Sequence, residues 1–190
     1  MKEKTYTYDS KHYNVRITGI GYFGVAMFLF GLYKILSGAP LYYLALCGIS
    51  FYIIYETFIT CANPNVVIIS DKKITFKDPR RSDTYNWSEI KDWRVKELPD
   101  RKQCYIRINK QKFSFFKGRY WVYCYYFTDC DELYDFILDK EAELHPNTIK
   151  ADNRRKYNDL KKKYEIEHKK EIEEAKLKKE AKKRDKKRGH

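Results

Sequence analysis

Ile17–Leu36, ITGIGYFGVAMFLFGLYKIL, and Leu41–Cys61, LYYLALCGISFYIIYETFITC, are two apolar stretches separated only by Ser37-Gly38-Ala39-Pro40. Each carries a single charge, Lys34 in the first and Glu56 in the second. At ~1.5 Å rise per residue, about 20 helical residues reach ~30 Å, the thickness of a hydrocarbon core. The pattern predicts a transmembrane helical hairpin over residues 17–62. Lys34 is within a turn of its end, where its ammonium can reach the headgroups. Tyr42, Tyr43, Tyr52 and Tyr55 suit interfacial belts. A cleaved signal peptide fits less well, because the first apolar run exceeds the usual ~7–15 residues and a second follows at once.

Lys and Arg near the span ends set orientation. Lys2, Lys4, Lys11 and Arg16 precede the first span, no Lys or Arg lies in the loop, and Lys72, Lys73, Lys77, Arg80 and Arg81 follow the second. Both termini are therefore expected in the cytoplasm of an inner-membrane, multi-pass protein, with residues 1–16 as a basic N-terminal flank. Glu56 is about five residues from the end of its span, so the interfacial reading is preferred to an ion or proton site. Gly19-x-Gly21-x-x-Gly24 spells a dinucleotide fingerprint, but that motif needs a preceding strand and a helix N-terminus aimed at pyrophosphate. Within a span, Gly19, Gly21, Gly24 and Gly31 instead predict a helix-packing face, and Gly48 is a further candidate.

The formal charge of +13 is uneven: residues 150–190 hold 18 Lys and Arg against 9 Asp and Glu, leaving little net charge elsewhere. Cys47, Cys61, Cys104, Cys124 and Cys130 form no C-x-x-C, and no His stands at ligand spacing, so neither a metal nor a cofactor is expected. Packing is the expected role of Cys47 and Cys124.

From residue 63 to 146 the grammar changes to short strands closed by a helix. Val66–Ile69, Ile74–Lys77, Thr84–Trp87, a strand around Trp93 and Val95, Cys104–Ile108, Phe113–Phe116 and Trp121–Phe127 are the seven expected strands, mostly divided by turn signals. This spacing predicts a small antiparallel barrel or sandwich. Thr128 or Asp129 is the expected cap of a closing helix, with Asp131 or Glu132 completing a capping box. Leu133, Phe136, Ile137 and Leu144 mark its buried face. The aromatic run from Tyr120 to Phe127 reads as core and cross-strand pairing ahead of a base- or peptide-stacking platform.

Seven strands and a C-terminal amphipathic helix follow the order of a pleckstrin-homology (PH)-like domain. The chain resembles bacterial membrane proteins with two N-terminal spans and a PH-like domain. The resemblance is carried by the hairpin, Val67-Ile68-Ile69-Ser70-Asp71-Lys72-Lys73-Ile74, Trp87-Ser88-Glu89-Ile90 and Asp131-Glu132-Leu133-Tyr134-Asp135-Phe136-Ile137. It covers roughly residues 1–144. It implies that Lys72, Lys73, Lys77, Arg80 and Arg81 contact anionic headgroups, where each charge near the leaflet is worth ~1 kcal/mol. Bacterial antiviral effectors that pair two spans with a small ligand-sensing barrel offer a second resemblance. There a ligand such as a cyclic nucleotide triggers membrane disruption. Those barrels tend to open on Gly-x-Trp, whereas this chain has Asn63-Pro64-Asn65-Val66.

No histidine falls within the strand region, and no nucleophile elbow, phosphate loop or zinc helix appears. The expected function is a membrane-anchored, non-catalytic binding or scaffolding module. Membrane lipids are its expected partners, with a protein partner or self-association through the spans beside them, and nucleic acid is not expected. Residues 147–190 read as a charged, Lys/Glu-rich helical tail. It is supported by Glu165–Lys169, Glu174–Lys178, Lys176–Glu180 and Glu180–Arg184 at i,i+4. Tyr157, Leu160 and Tyr164 begin an apolar seam that His168 and Glu171 interrupt.

Overall fold

A computed structural model describes residues 3–109 and 117–188, with side chains as far as Lys169. The chain divides into two units, Met1–Leu144 and His145–His190.

Two helices of the first unit, α1 (Ser10–Leu36) and α2 (Tyr42–Ile59), are long and apolar enough to cross a membrane. At ~1.5 Å per residue they extend ~40 and ~27 Å. Asp9 caps α1, its carboxylate accepting from the His12 backbone N–H at 2.9 Å. Both helices are wound as π-helix at their base, over Asn14–Thr18 and Tyr55–Ile59. Gly38, at φ +78°, reverses the chain between them. A Cβ on Gly21 would meet Thr57 Cγ2 at 2.5 Å, on Gly24 Ile53 Cγ2 at 2.9 Å, and on Gly31 Cys47 Sγ at 2.7 Å. These three glycines thus stand on one seam facing α2. Gly19 faces a carbonyl of its own helix, and a Cβ on Gly48 would meet nothing within 4 Å. Neither of these two lies on the seam.

The strand region forms two antiparallel sheets, β1-β2-β3-β4 and β5-β6-β7. The strands are β1 Lys4–Thr7, β2 Val66–Ile69, β3 Lys73–Lys77, β4 Ser82–Asn86, β5 Trp93–Leu98, β6 Gln103–Ile108 and β7 Arg119–Tyr123. The main departure from the sequence reading is β1. The segment expected as a basic flank pairs with β2 from Lys4↔Ile69 to Thr7↔Val66. Lys-Thr-Tyr-Thr is too short to show a period, yet its alternation buries Tyr6 and exposes Thr5 and Thr7. The whole hairpin is therefore an insertion between two neighbouring strands. Two strand ends also shift. Trp87 opens a 3-10 turn in place of ending β4, and β7 stops at Tyr123 before a 3-10 turn over Cys124–Tyr126. The strand expected at Phe113–Phe116 lies outside the described residues.

The sheets face each other across Val67, Ile74 and Phe76 on one side and Trp93, Ile106, Tyr120 and Val122 on the other. Phe76 stacks on Tyr120 with ring centroids 4.0 Å apart. Helix α3 (Cys130–Leu144) covers this core with Leu133, Ile137 and Leu138, and Trp93 Nε1 donates to the Ile137 carbonyl at 3.3 Å. Glu132 has a different use from the expected capping box: its carboxylate receives Lys4 and, at 3.1 Å, the Tyr6 hydroxyl. Beyond β1, Tyr8 bridges Phe127, the Asp9 N–H donates to the Tyr126 carbonyl at 2.8 Å and the Thr128 N–H to the Thr7 carbonyl at 3.0 Å. These bonds stitch the edge of one sheet to the chain leaving the other. Among the described residues no continuous ladder closes the two sheets into a barrel.

The second unit is one helix, α4 (Ile149–Arg188). Thr148 caps it, its hydroxyl accepting from the Ala151 N–H at 3.2 Å. Tyr157, Leu160 and Tyr164 are exposed. The ion pairs expected beyond Lys169 involve side chains outside the described set.

Candidate functional site

The five basic residues singled out from the sequence occupy opposite ends of β3. Lys72 and Lys73 lie at the β2–β3 turn, while Lys77, Arg80 and Arg81 lie at the β3–β4 turn. Four residues of strand separate the ends by ~13 Å. Registers Thr7↔Val66 and Val66↔Lys77 put the second group at the hairpin end of the sheet and the first at the far end. Asp78 shapes the near turn, its carboxylate accepting from the N–H groups of Arg80 and Arg81 at 2.7 Å each. Arg80 lies over the Phe58 ring at 4.6 Å, tying this turn to the foot of α2. Arg81 points inward, and its Nε donates to Asp83 at 3.2 Å. The five do not form one patch, and at the hairpin end only Lys77 and Arg80 are exposed.

Asp83 is fully buried and anchors a polar cluster between β4 and β7. The Tyr120 hydroxyl donates to it at 3.0 Å and lies 2.6 Å from the Tyr85 hydroxyl, with Lys117 Nζ at 3.9 Å. Burial pushes the Tyr85 hydroxyl up to about 12 and that of Tyr120 higher still. These phenols stay protonated near neutrality, and their hydrogen bonds with each other and with Asp83 join the sheets. Cys104 and Cys124 are buried free thiols, and a thiol–thiol hydrogen-bonding interaction between them together with burial holds the Cys124 thiol well above its ordinary range. No cluster of three or more His, Cys, Asp or Glu suited to a metal occurs among the described residues.

The strand aromatics divide by face: Tyr120 packs in the core, while Trp121 pairs across the strands with Tyr105, centroids 4.4 Å apart. The Trp121 backbone N–H donates to the Ala62 carbonyl at 2.6 Å, so β7 borders the exit of α2. Glu56 accepts from Tyr52 one turn earlier, with Arg119 and Tyr105 in electrostatic range of that tyrosine.

Protein-family models, characterised proteins and solved structures give no match to this chain. The functional reading therefore rests on the geometry alone.

A concavity lies at the foot of α1. A cleft of about 360 Å³ is lined by Arg16, Asp100, Arg101, Gln103 and the tyrosines 123, 125 and 126. It adjoins a shallower hollow that includes Tyr8 and His12 and shares Tyr125 and Tyr126. The Arg16 guanidinium lies 4.8 Å from the Tyr126 ring centroid. In the sequence Arg16 is visible only as the last charge before the first apolar run. Nothing there signals that the β5–β6 turn brings Arg101 to the same cleft.

Proposed function

We propose that this protein is a membrane-anchored, non-catalytic binding or scaffolding module whose strand domain is PH-like and works at the cytoplasmic face of the inner membrane. One observation carries the reading: the hairpin leaves the domain after β1 and returns into β2, which are paired neighbours. A hairpin crossing a bilayer from such a pair leaves β1 and the strand domain on the same side, held by two short tethers. Exposure of the helices supports the crossing, since only 22% and 11% of their apolar windows are buried within the protein. A soluble core helix would be mostly buried. Four antiparallel strands, then three, then one amphipathic helix support the PH-like assignment. Exposed Lys77 and Arg80 at the hairpin end of the sheet fit the cytoplasmic side. The alternative, an effector gated by a ligand inside a barrel, is less well supported, because Phe76, Trp93 and Tyr120 fill the space between the sheets.

The test replaces residues 8–65 by a two-residue Asn-Gly turn, which suits the antiparallel Thr7↔Val66 pair. The shortened chain is expected in the soluble fraction. Proximity labelling from the full chain is expected to recover membrane-face neighbours that the shortened chain loses. A shortened chain that still sediments with membranes, or an unchanged neighbour set, would contradict the reading.

A further inference from the structure

The cleft at the foot of α1 has the composition of an anion site, which the two basic turns lack. Arg16 directly precedes the apolar run, so a spanning α1 sets it at headgroup depth. Packing on Tyr126 orients its planar guanidinium while leaving N–H groups for a ligand. Arg101 enters from the 3-10 turn Pro99–Arg101. Both guanidiniums line the same cleft as Tyr123 and act electrostatically on its hydroxyl. Neither has an ion-pair partner among the described residues, and Asp100 is the single carboxylate lining the cleft. Two positive charges thus face one negative charge.

Two further groups suit an anion. Buried Gln103 pairs with Tyr123 across β6 and β7 and acts on its phenol, whose proton is available to a ligand in the cleft. Tyr8 is 6% exposed, and its hydroxyl has no hydrogen-bond partner among the described residues. That hydroxyl lies in electrostatic range of Arg16, Tyr123 and Tyr126. A buried hydroxyl without a partner is costly, and an oxyanion beside it would supply the missing acceptor. Paired guanidiniums matched to neutral donors are the usual chemistry of phosphate recognition.

We propose that this cleft binds a phosphate-type anion, either the phosphodiester of a lipid headgroup or a soluble phosphate ester, held by Arg16, Arg101 and the Tyr123 hydroxyl, with the buried Tyr8 hydroxyl of the adjoining hollow behind them. The lipid source rests on the membrane-face reading above, and the soluble source does not.

The full chain is first tested for retention in membranes under alkaline carbonate. Native mass spectrometry then reads phosphatidylglycerol retained over phosphatidylcholine from an equal mixture. Calorimetry reads glycerol 3-phosphate binding to the chain in pure phosphatidylcholine nanodiscs, or in buffer if carbonate releases it. Phosphatidylglycerol preference assigns the lipid source, and saturable glycerol 3-phosphate binding assigns the soluble one. In either arm Arg101→Gln, on an exposed turn, should weaken binding about fivefold, and Arg16→Gln with Arg101→Gln about twentyfold or more. Tyr8→Phe should weaken it further, while Lys72→Gln with Lys73→Gln should leave it unchanged. The site is overturned if neither ligand binds, or if binding survives in the double variant with wild-type melting. Carbonate release with intact glycerol 3-phosphate binding would overturn the anchoring and keep the site. Full retention without either binding would do the reverse.

Discussion

Replacing Tyr6 tests whether the residues ahead of the hairpin are a structural strand of the domain. Tyr6 is 2% exposed, faces Val67 across the β1–β2 pair and gives its hydroxyl to Glu132 of α3 at 3.1 Å. Tyr6→Ala removes a whole buried ring, a change that costs about 3–5 kcal/mol for comparable aromatics. Tyr6→Phe removes only the hydrogen bond to a half-exposed carboxylate and should cost about 1 kcal/mol. Thr5 lies on the opposite, exposed face of the same strand, so Thr5→Ala should stay within about 1 kcal/mol. Pulse proteolysis in urea of the full chain in detergent micelles reads these values as midpoints. With a slope near 1.5 kcal/mol/M, Tyr6→Ala should lower the midpoint by roughly 2–3 M. If Tyr6→Ala behaved like Thr5→Ala, Lys4–Thr7 would not be part of the folded domain. The hairpin could then no longer be an insertion between neighbouring strands.

Other consequences can be measured on the same preparation. Gly24→Leu should push α1 from α2 at a cost of about 1–3 kcal/mol, because its Cβ alone would stand 2.9 Å from Ile53. Gly48→Leu, with open space, should leave thermal stability in micelles near wild type, and equal losses in the two would refute the seam. Asp83→Ala strips a fully buried carboxylate from Arg81 and Tyr120 and should cost about 2–4 kcal/mol, with loss of near-ultraviolet tyrosine dichroism. A change below 0.5 kcal/mol would show the cluster to be dispensable (about the scatter of surface substitutions). Burial, the largest cause in each case, raises the hydroxyls of Tyr6, Tyr8 and Tyr85 to about 12. Unfolded tyrosines ionise near 10, so below that pH both states are protonated and the stability is fully present. Between pH 10 and 12 the unfolded chain releases protons that the folded chain keeps, and stability should fall steeply. A urea midpoint that is flat up to pH 11.5 would refute this.

The pair of apolar helices was legible because two long apolar runs and the short loop between them stand plainly in residues 17–61. Strand positions followed from the apolar run Val66–Ile69 and from alternation at Ile74–Lys77 and Cys104–Ile108, each within a residue of the observed strand. Strand β1 was not legible, since four residues with one inward tyrosine carry no period and their partner is 60 residues away. The packing glycines illustrate a further limit. Spacing marked a glycine-rich face, but only the helix crossing separates Gly21, Gly24 and Gly31 from Gly19 and Gly48. The basic turns were visible as charges, yet β3 holds them apart and Asp83 draws Arg81 inward. The cleft with Arg16 and Arg101 joins residues 85 positions apart through the fold, which no local pattern encodes.

Topology of the hairpin tests the central claim most directly. Single cysteines at Ser37, Glu3 and Asp100, each in a background with Cys130 and the four buried cysteines replaced by Ser or Ala, are labelled in intact cells with a membrane-impermeant maleimide. The Ser37 position should react from outside, while those at Glu3 and Asp100 should react only after lysis. Labelling of Glu3 and Ser37 from the same side would contradict a spanning hairpin inserted between β1 and β2.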